Sequence, residues 1–451
     1  MVKAAAAKAD ITPPVGVPLD GNVRDKNSRG IHDSLFAKTL VLADGEETVA
    51  VVACDLVGLS SDLVEQARQL IEKSTGIKGE NVLISATHTH SGPAVLGLLG
   101  PKVDESYLEI LAQKIAGAVY MAQNNLQKVS IGVGRGTVEG ISFNRRIRMK
   151  DGSIRMNWEG LPEAEIEGPA GPIDPEVGVV RIDDKEGNPI AFLINFACHA
   201  AVLTGDNLLI SADYPGYTTR MVEQICPVRW GLSDGGYPGT VALFTNGAEG
   251  NINHIDVHNP LQTLRIRGFK EAERIGRILG GEVVKVIERI KPEELAKVRS
   301  VSQKIELPLR EISEAELQRA REVVEASPGK KLFLVDGVPE EIYARELLKL
   351  SQYKGKSALT EVQVITLGDK AALVGIPGEM FVELGLEIKR NSKFPYTFVL
   401  GLANDYVGYI PTSAAFDEGG YEVKTASWSK FDRRAGEILV ESVLDMLGED
   451  L

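Results

Sequence analysis

Short, unbroken apolar runs recur along the chain, and between the early ones lie segments whose apolar positions return every three or four residues. The runs TVAVVACDL (48–56) and NVLISAT (81–87) carry too many β-branched residues in too short a span for a helix, and read as buried strands. Between them, in SDLVEQARQLIEKSTG (61–76), Leu63, Ala67, Leu70 and Ile71 share one helical face, Ser61 and Asp62 can cap the start, and Gly76 can end it. SYLEILAQKIAGAVYMAQ (106–123) repeats the helical spacing with Leu108, Leu111, Ile115 and Val119. Further buried strands are predicted at AFLINFACHA (191–200), TVALFTN (240–246), AALVGI (371–376) and YTFVLGLAN (396–404). Strand and helix alternate, which predicts an α/β fold: a layered mixed β-sheet core flanked by helices.

From about 291 to 356 the pattern changes. Lys and Glu dominate, and a helix is predicted over 312–326 behind the capping box Ser313-x-x-Glu316. This stretch is expected to be a surface-exposed helical insertion in one domain spanning 1–451. No repeat or linker marks a second boundary.

Composition narrows the function. Lys plus Arg number 50 against 63 Asp plus Glu, a net charge of −13, and no basic run carries interleaved aromatics, so nucleic acid is not an expected partner. No apolar run reaches the roughly 18 residues of a membrane span. Nor does the amino terminus, MVKAAAAKADITPP, contain an apolar leader. A cytoplasmic location is the expectation, although a chain trimmed of an export signal would read the same. Cys54, Cys198 and Cys226 are too few and too irregular for a disulfide framework or a thiolate metal site.

Where strands end, polar residues collect. Two of the chain's six histidines fall in THTHSGP (87–93), where alternation in an extended segment lets His88 and His90 face one point. His199 follows the 191–200 run, the turn TNGAEGNIN occupies 245–253, Glu379 sits in GIPGEM, and Tyr406 and Tyr409 in ANDYVGY. Three histidines and a carboxylate on strand ends can supply a zinc hydrolase site. Each also has an ordinary reading: a hydrogen-bonded core histidine, a helix-starting glutamate, core tyrosines, a tight Gly/Asn turn. His254 and His258, in a polar irregular stretch, read as solvated.

Taken together and in order, ADITPP, RGIHDSLFAKTLVL, THTHSGP, NRR, LISADYPGY, PGEMF, NDYVGY and YEVKTAS resemble the neutral/alkaline non-lysosomal ceramidase family, zinc amidases of N-acyl sphingoid bases. The resemblance implies that family's catalytic-domain fold, and one Zn2+ per chain held by His88, His199, Glu379 and Tyr409. It also implies His90 as acid/base, and Arg145 and Tyr421 as groups that stabilise the reaction's oxyanion. Asp55 and Asp213 are candidates to orient the ligand histidines, or equally to serve turns and caps.

The implied function is hydrolysis of the amide bond of an N-acyl substrate by metal-activated water. A zinc hydrolase of another polar amide or an ester, or a non-catalytic binding protein on the same fold, remains open. The family's Gly-Asp-x-Ser-Pro turn corresponds to Gly250, Asn251, Ile252, Asn253 and His254, which leaves no serine nucleophile there. The sequence stops about 25 residues past YEVKTAS, short of the family's immunoglobulin-like domain. A short or polar amide is therefore expected as substrate in preference to membrane-embedded ceramide.

Overall fold

The computed structural model describes residues 1–226, 239–258, 267–327, 334–335, 337–353 and 355–449. Eight strands form the larger sheet: β1 Lys3–Asp10, β2 Phe36–Ala43, β3 Thr48–Cys54, β4 Val82–Ala86, β5 Gln127–Thr137, β6 Glu176–Asp184, β7 Pro189–Phe196 and β8 Val241–Asn246, in the spatial order β8-β7-β6-β5-β1-β2-β3-β4. A second sheet runs β9 Val298–Pro308, β10 Ser357–Leu367, β11 Ala371–Gly375 and β12 Tyr396–Leu400. Three neighbouring pairs are parallel, β3 with β4, β7 with β8 and β11 with β12; the other pairs in these two sheets are antiparallel.

The layers explain the unbroken apolar runs. Along β3, Val49, Val51 and Ala53 point into a core shared with Ile365, Leu373 and Phe398 of the second sheet. Ala50, Val52 and Cys54 point the other way, against helices α1 (Ser61–Thr75) and α2 (Glu105–Gln123). A strand buried on both faces has no polar positions to alternate with. Helices α3 (Asp213–Ile225) and α4 (Phe269–Ile287) cover the other half of the large sheet. The outer face of the small sheet is covered by α7 (Val382–Asn391) and α8 (Ala435–Gly448).

The order is therefore helices, sheet, sheet, helices. The early helices form where the spacing placed them, except that α1 is capped by Ser60, whose side chain accepts from Leu63 N, and closed by left-handed Gly76.

Two local differences have physical causes. Lys3–Asp10 is a strand despite its run of alanines, good helix formers, because Ala4 and Ala6 pack toward the second sheet while Ala5 and Ala7 pack toward the first helical layer. In the Lys/Glu-rich stretch, Val298–Pro308 is a strand whose period of two leaves polar side chains on its outer face. The helical part is α5 Glu314–Ala326, opened by the Ser313/Glu316 capping box, and α6 Glu340–Leu350. Residues 328–333, 336 and 354 of that stretch lie outside the described residues.

A buried ionic network ties α1 to the second sheet. Both oxygens of Glu361 receive Arg68, at 2.7 and 3.0 Å, and they are joined by Lys304 at 2.6 Å and Asn404 Nδ2 at 3.0 Å. Asn404, at φ 63, also accepts from Ile84 N, four residues before His88. Burial raises the Glu361 carboxyl, but Arg68 and Lys304 overcome it and hold the group down to about 2.

A depressed carboxyl contributes stability above its unfolded value, here 4.5, and loses it as pH falls through the folded value. Glu361→Gln is expected to cost about 3 kcal/mol at pH 7, since each tenfold change in proton affinity corresponds to about 1.4 kcal/mol. Its deficit relative to the parent protein should shrink between pH 4.5 and 2. Melting curves across that range read the difference, and a deficit independent of pH would contradict it.

Candidate metal centre

All three parallel pairs direct their carboxyl ends to one place, as ligand sites do in α/β sheets. β4 ends just before His88, β7 before His199, β8 before Glu249, β11 before Glu379, and β12 before the turn that carries Tyr406 and Tyr409. Glu379 and Tyr409 lie opposite each other in a two-residue parallel pairing, Glu379–Met380 with Tyr409–Ile410. His88 takes φ 68, a left-handed conformation unusual for a residue with a side chain.

The histidines are clamped from behind. His88 Nδ1 lies 2.6 Å from Val57 O, and His199 Nδ1 lies 2.9 Å from Glu249 O and 3.0 Å from Ile252 O. A carbonyl accepts only, so each Nδ1 carries the ring proton and each Nε2 presents a lone pair. Those lone pairs meet Glu379 Oε2, at 3.4 Å from His88 Nε2 and 2.9 Å from His199 Nε2. With both rings neutral the contacts are acceptor to acceptor, the donor arrangement a cation needs between them; a proton can take the cation's place, and although burial lowers His88, Glu379 overcomes it and raises His88 above its ordinary value.

The ligand atoms of His88, His199, Glu249 and Glu379 lie within 4.8 Å of one another, all buried. Oε2 of Glu379 and both oxygens of Glu249 have no hydrogen-bond partner among the described residues. This donor set fits zinc.

The charges respond to burial and to each other. Burial raises the Glu379 carboxyl, but His88 and His199 pull it well below the usual carboxylate range. Burial pushes Glu249 up to about 8, opposed by His88 and reinforced by Glu379. His199 is held down to about 4 by burial and Arg145. Burial, together with His88 and His199, keeps His90 well below its ordinary value, in the neutral form that can accept a proton.

His90 stands beside the donors, its Nε2 3.2 Å from His88 Nε2. Gly21, at φ 86, makes room for its ring, because a Cβ there would lie 2.6 Å from His90 Cγ. Arg24 Nη2 donates to His90 O at 2.7 Å. Arg145 is buried with Nε on Glu422 at 2.7 Å and Nη1 3.0 Å from His199 Nε2. Its guanidinium is surrounded by the rings of Trp158, Tyr409 and Tyr421. Tyr406 donates to Glu379 Oε1 at 2.7 Å.

His88, His90, Glu379, Tyr406 and Tyr409 open on a pocket whose other walls include Leu98, Leu99, Tyr421 and Trp428. Asp20 shapes its lip by accepting from the backbone N–H of Val95, Leu96, Gly97 and Leu98.

The structure thus gathers His88, His90, His199, Glu379, Tyr409, Arg145 and Tyr421 in one cluster, of which His88, His90, Glu379, Tyr409 and Tyr421 line the pocket while His199 and Arg145 stand behind it. Asp55 and Asp213 are not among them. Asp55 accepts from Phe36 N, and Asp213 from Leu203 N and Tyr214 N. They serve strand and helix termini, because backbone carbonyls already hold both ligand rings. His254 is buried rather than solvated, while His258 is exposed. Asn251 holds the start of α7, its Oδ1 accepting from Val382 N.

The residues expected from the sequence do not include Glu249, Glu422 or Asp20, which the structure also places at or beside this cluster. Only Glu249 left a sequence signal, as the single acid in the strand-ending turn 245–253.

The sequence pattern described as neutral/alkaline non-lysosomal ceramidase, N-terminal, matches residues 3–254, more than half of the chain. Neutral ceramidase A of Dictyostelium discoideum is 27% identical over 263 residues, covering 54% of this chain and 34% of that protein. The neutral ceramidase of Drosophila melanogaster is 28% identical over 234 residues, covering 49% and 32%. The matched stretches span about a third of these relatives' length. The crystal structure of neutral ceramidase from Pseudomonas aeruginosa superposes with a TM-score of 0.74 over 99% of this chain and 74% of that one, at 21% identity. With that pattern matched over residues 3–254 and the same fold over nearly the whole chain, the chain belongs to the neutral/alkaline non-lysosomal ceramidase family.

Proposed function

We propose that the protein is a zinc-dependent hydrolase of a linear N-acyl amide. The observation that carries this reading is the set of two Nε2 lone pairs facing Glu379 Oε2, each imidazole fixed by a carbonyl behind it. His88, His199 and Glu379 would hold the ion, with Tyr409 beside it as the family resemblance implies. Bound there, zinc supplies a Lewis acid that polarises a carbonyl and acidifies water.

The remaining work belongs to the chain. His90, held neutral, accepts the proton of the attacking water and returns it to the leaving nitrogen. Arg145 Nη2, buried without a hydrogen-bond partner among the described residues, and the Tyr421 hydroxyl offer donors to the oxyanion of the tetrahedral stage. Leu98, Leu99 and Trp428 exclude water from the acyl side.

Leu98, Leu99, Tyr406, Tyr421 and Trp428 wall the pocket close around the donors, which supports a short or polar N-acyl group. Catalytic efficiency on short-chain N-acylsphingosine in solution is expected to exceed that on long-chain ceramide in vesicles. The reverse order would overturn the size argument. No hydrolysis of any N-acyl amide by the zinc-loaded protein would overturn the function.

A further inference from the structure

The least explained group in the molecule is the side chain of Glu249. It is 0% exposed, and neither carboxylate oxygen has a hydrogen-bond partner among the described residues. A buried carboxylate without a partner is costly enough that proteins pair it or bring a cation to it.

The chain has gone to some length to place it. Its own carbonyl accepts from His199 Nδ1 at 2.9 Å, so one residue both fixes a ligand ring and extends a carboxylate toward the same centre. The turn is pinned to the neighbouring ligand strand by Gly250 N donating to Met380 O at 2.8 Å. Gly250 has no substitute there, since a Cβ would lie 2.3 Å from Glu379 O, and a Cβ on Gly401 would come within 3.0 Å of Glu249 Oε2. Tyr409 is in a different situation. Its ring lies 5.2 Å from the Arg145 guanidinium carbon and edge-on to the Tyr421 ring at 5.6 Å.

We propose that Glu249 is itself a ligand of the cation, so that the centre binds a divalent ion of the zinc or cobalt kind through two imidazoles and two carboxylates. The inference rests on the metal-dependent reading above and departs from it in the donor set. Two carboxylates neutralise a dication, which leaves no charge for a phenolate to balance. Tyr409 then remains a neutral phenol between Arg145 and the pocket, and its part is toward substrate.

Metal binding, not turnover, tests this. Wild-type protein, Glu249→Gln and His88→Ala are stripped with chelator, titrated with zinc against a chromophoric competitor, and loaded separately with cobalt for visible absorption. The expected result is one ion per wild-type chain and an affinity at least about tenfold lower in Glu249→Gln, the smallest loss seen even for partners outside the ligand shell. The cobalt bands should also be altered in that variant. Metal-free Glu249→Gln should melt no lower than metal-free wild type, because the carboxylate has no hydrogen bond to lose, while the rise in melting temperature on adding zinc should shrink.

Unchanged zinc affinity and an unchanged cobalt spectrum in Glu249→Gln would overturn the proposal. Absence of uptake by wild type would overturn the metal-dependent reading itself, a different outcome. Should Glu249→Gln not fold, Glu249→Asp, which withdraws the carboxylate by one methylene, is read by the same two measurements.

Discussion

His88→Ala is expected to abolish both metal retention and hydrolysis, whereas His90→Ala keeps the metal and loses turnover. The two residues are neighbours in sequence and in space, with Nε2 atoms 3.2 Å apart, yet their surroundings assign them different work. His88 is locked by Val57 O at Nδ1 and faces Glu379 with Nε2. Its loss removes a ligand and leaves Glu379 with one imidazole fewer.

The weakening of metal binding should exceed the roughly 10–100-fold that loss of an outer partner costs. Among the described residues no carbonyl clamps His90 from behind; its Nδ1 meets Asn22 Nδ2 at 3.5 Å, and the ring sits half-buried beside Gly21. A residue so placed can change its protonation state without releasing the ion. Its replacement should lower kcat by about 10²–10⁴-fold, the usual contribution of a positioned acid/base. Metal analysis beside single-turnover kinetics separates the two, and loss of the ion from His90→Ala would contradict the assignment.

Much of this arrangement was legible before any coordinates, for a definable reason. Strands of a sheet buried on both faces announce themselves as unbroken apolar runs, so 48–56, 81–87, 240–246 and 371–376 could be placed, and with them the polar residues at their ends. The strand Lys3–Asp10 could not, since alanine favours a helix in isolation and only packing between two layers makes it extended.

In the site, side chains with rare chemistry were readable and backbone roles were not. Val57, Glu249 and Ile252 hold the ligand rings with carbonyls, a group every residue has, and no sequence pattern distinguishes them. Asp55 and Asp213 looked suited to that role only because carboxylates can be seen in a sequence and carbonyls cannot. Glu249 was in view inside a turn of glycines and asparagines, where a tight-turn reading accounted for its neighbours and drew attention from the acid.

Glu422→Gln is expected to destabilise the fold by about 3–5 kcal/mol, the range for breaking a buried ion pair from one side. Its carboxylate, 0% exposed, receives Arg145 Nε at 2.7 Å and Arg146 Nη1 at 3.0 Å. Arg146 has a second carboxylate, Glu418, at 3.1 Å, but Glu418 is partly in solvent. Arg145 has only Glu422 as an ion-pair partner among the described residues, and otherwise rests against aromatic faces and His199.

An amide in place of the carboxylate keeps the shape and removes the charge, leaving two guanidiniums in the interior with one partly exposed counter-charge, Glu418, beside Arg146. For a chain of this size the melting temperature should fall by about 3–5 °C. The functional consequence follows from the same geometry. Glu422 holds Arg145 Nε and so fixes the guanidinium beside His199 and Tyr409, so the variant should lose kcat beyond what its reduced folded fraction explains, with metal content unchanged. Glu422→Asp, which restores the charge one methylene away, should recover part of both. A variant that melts within a degree or two of wild type would show that the pair contributes little, and that Arg145 is held in place by its aromatic cage instead.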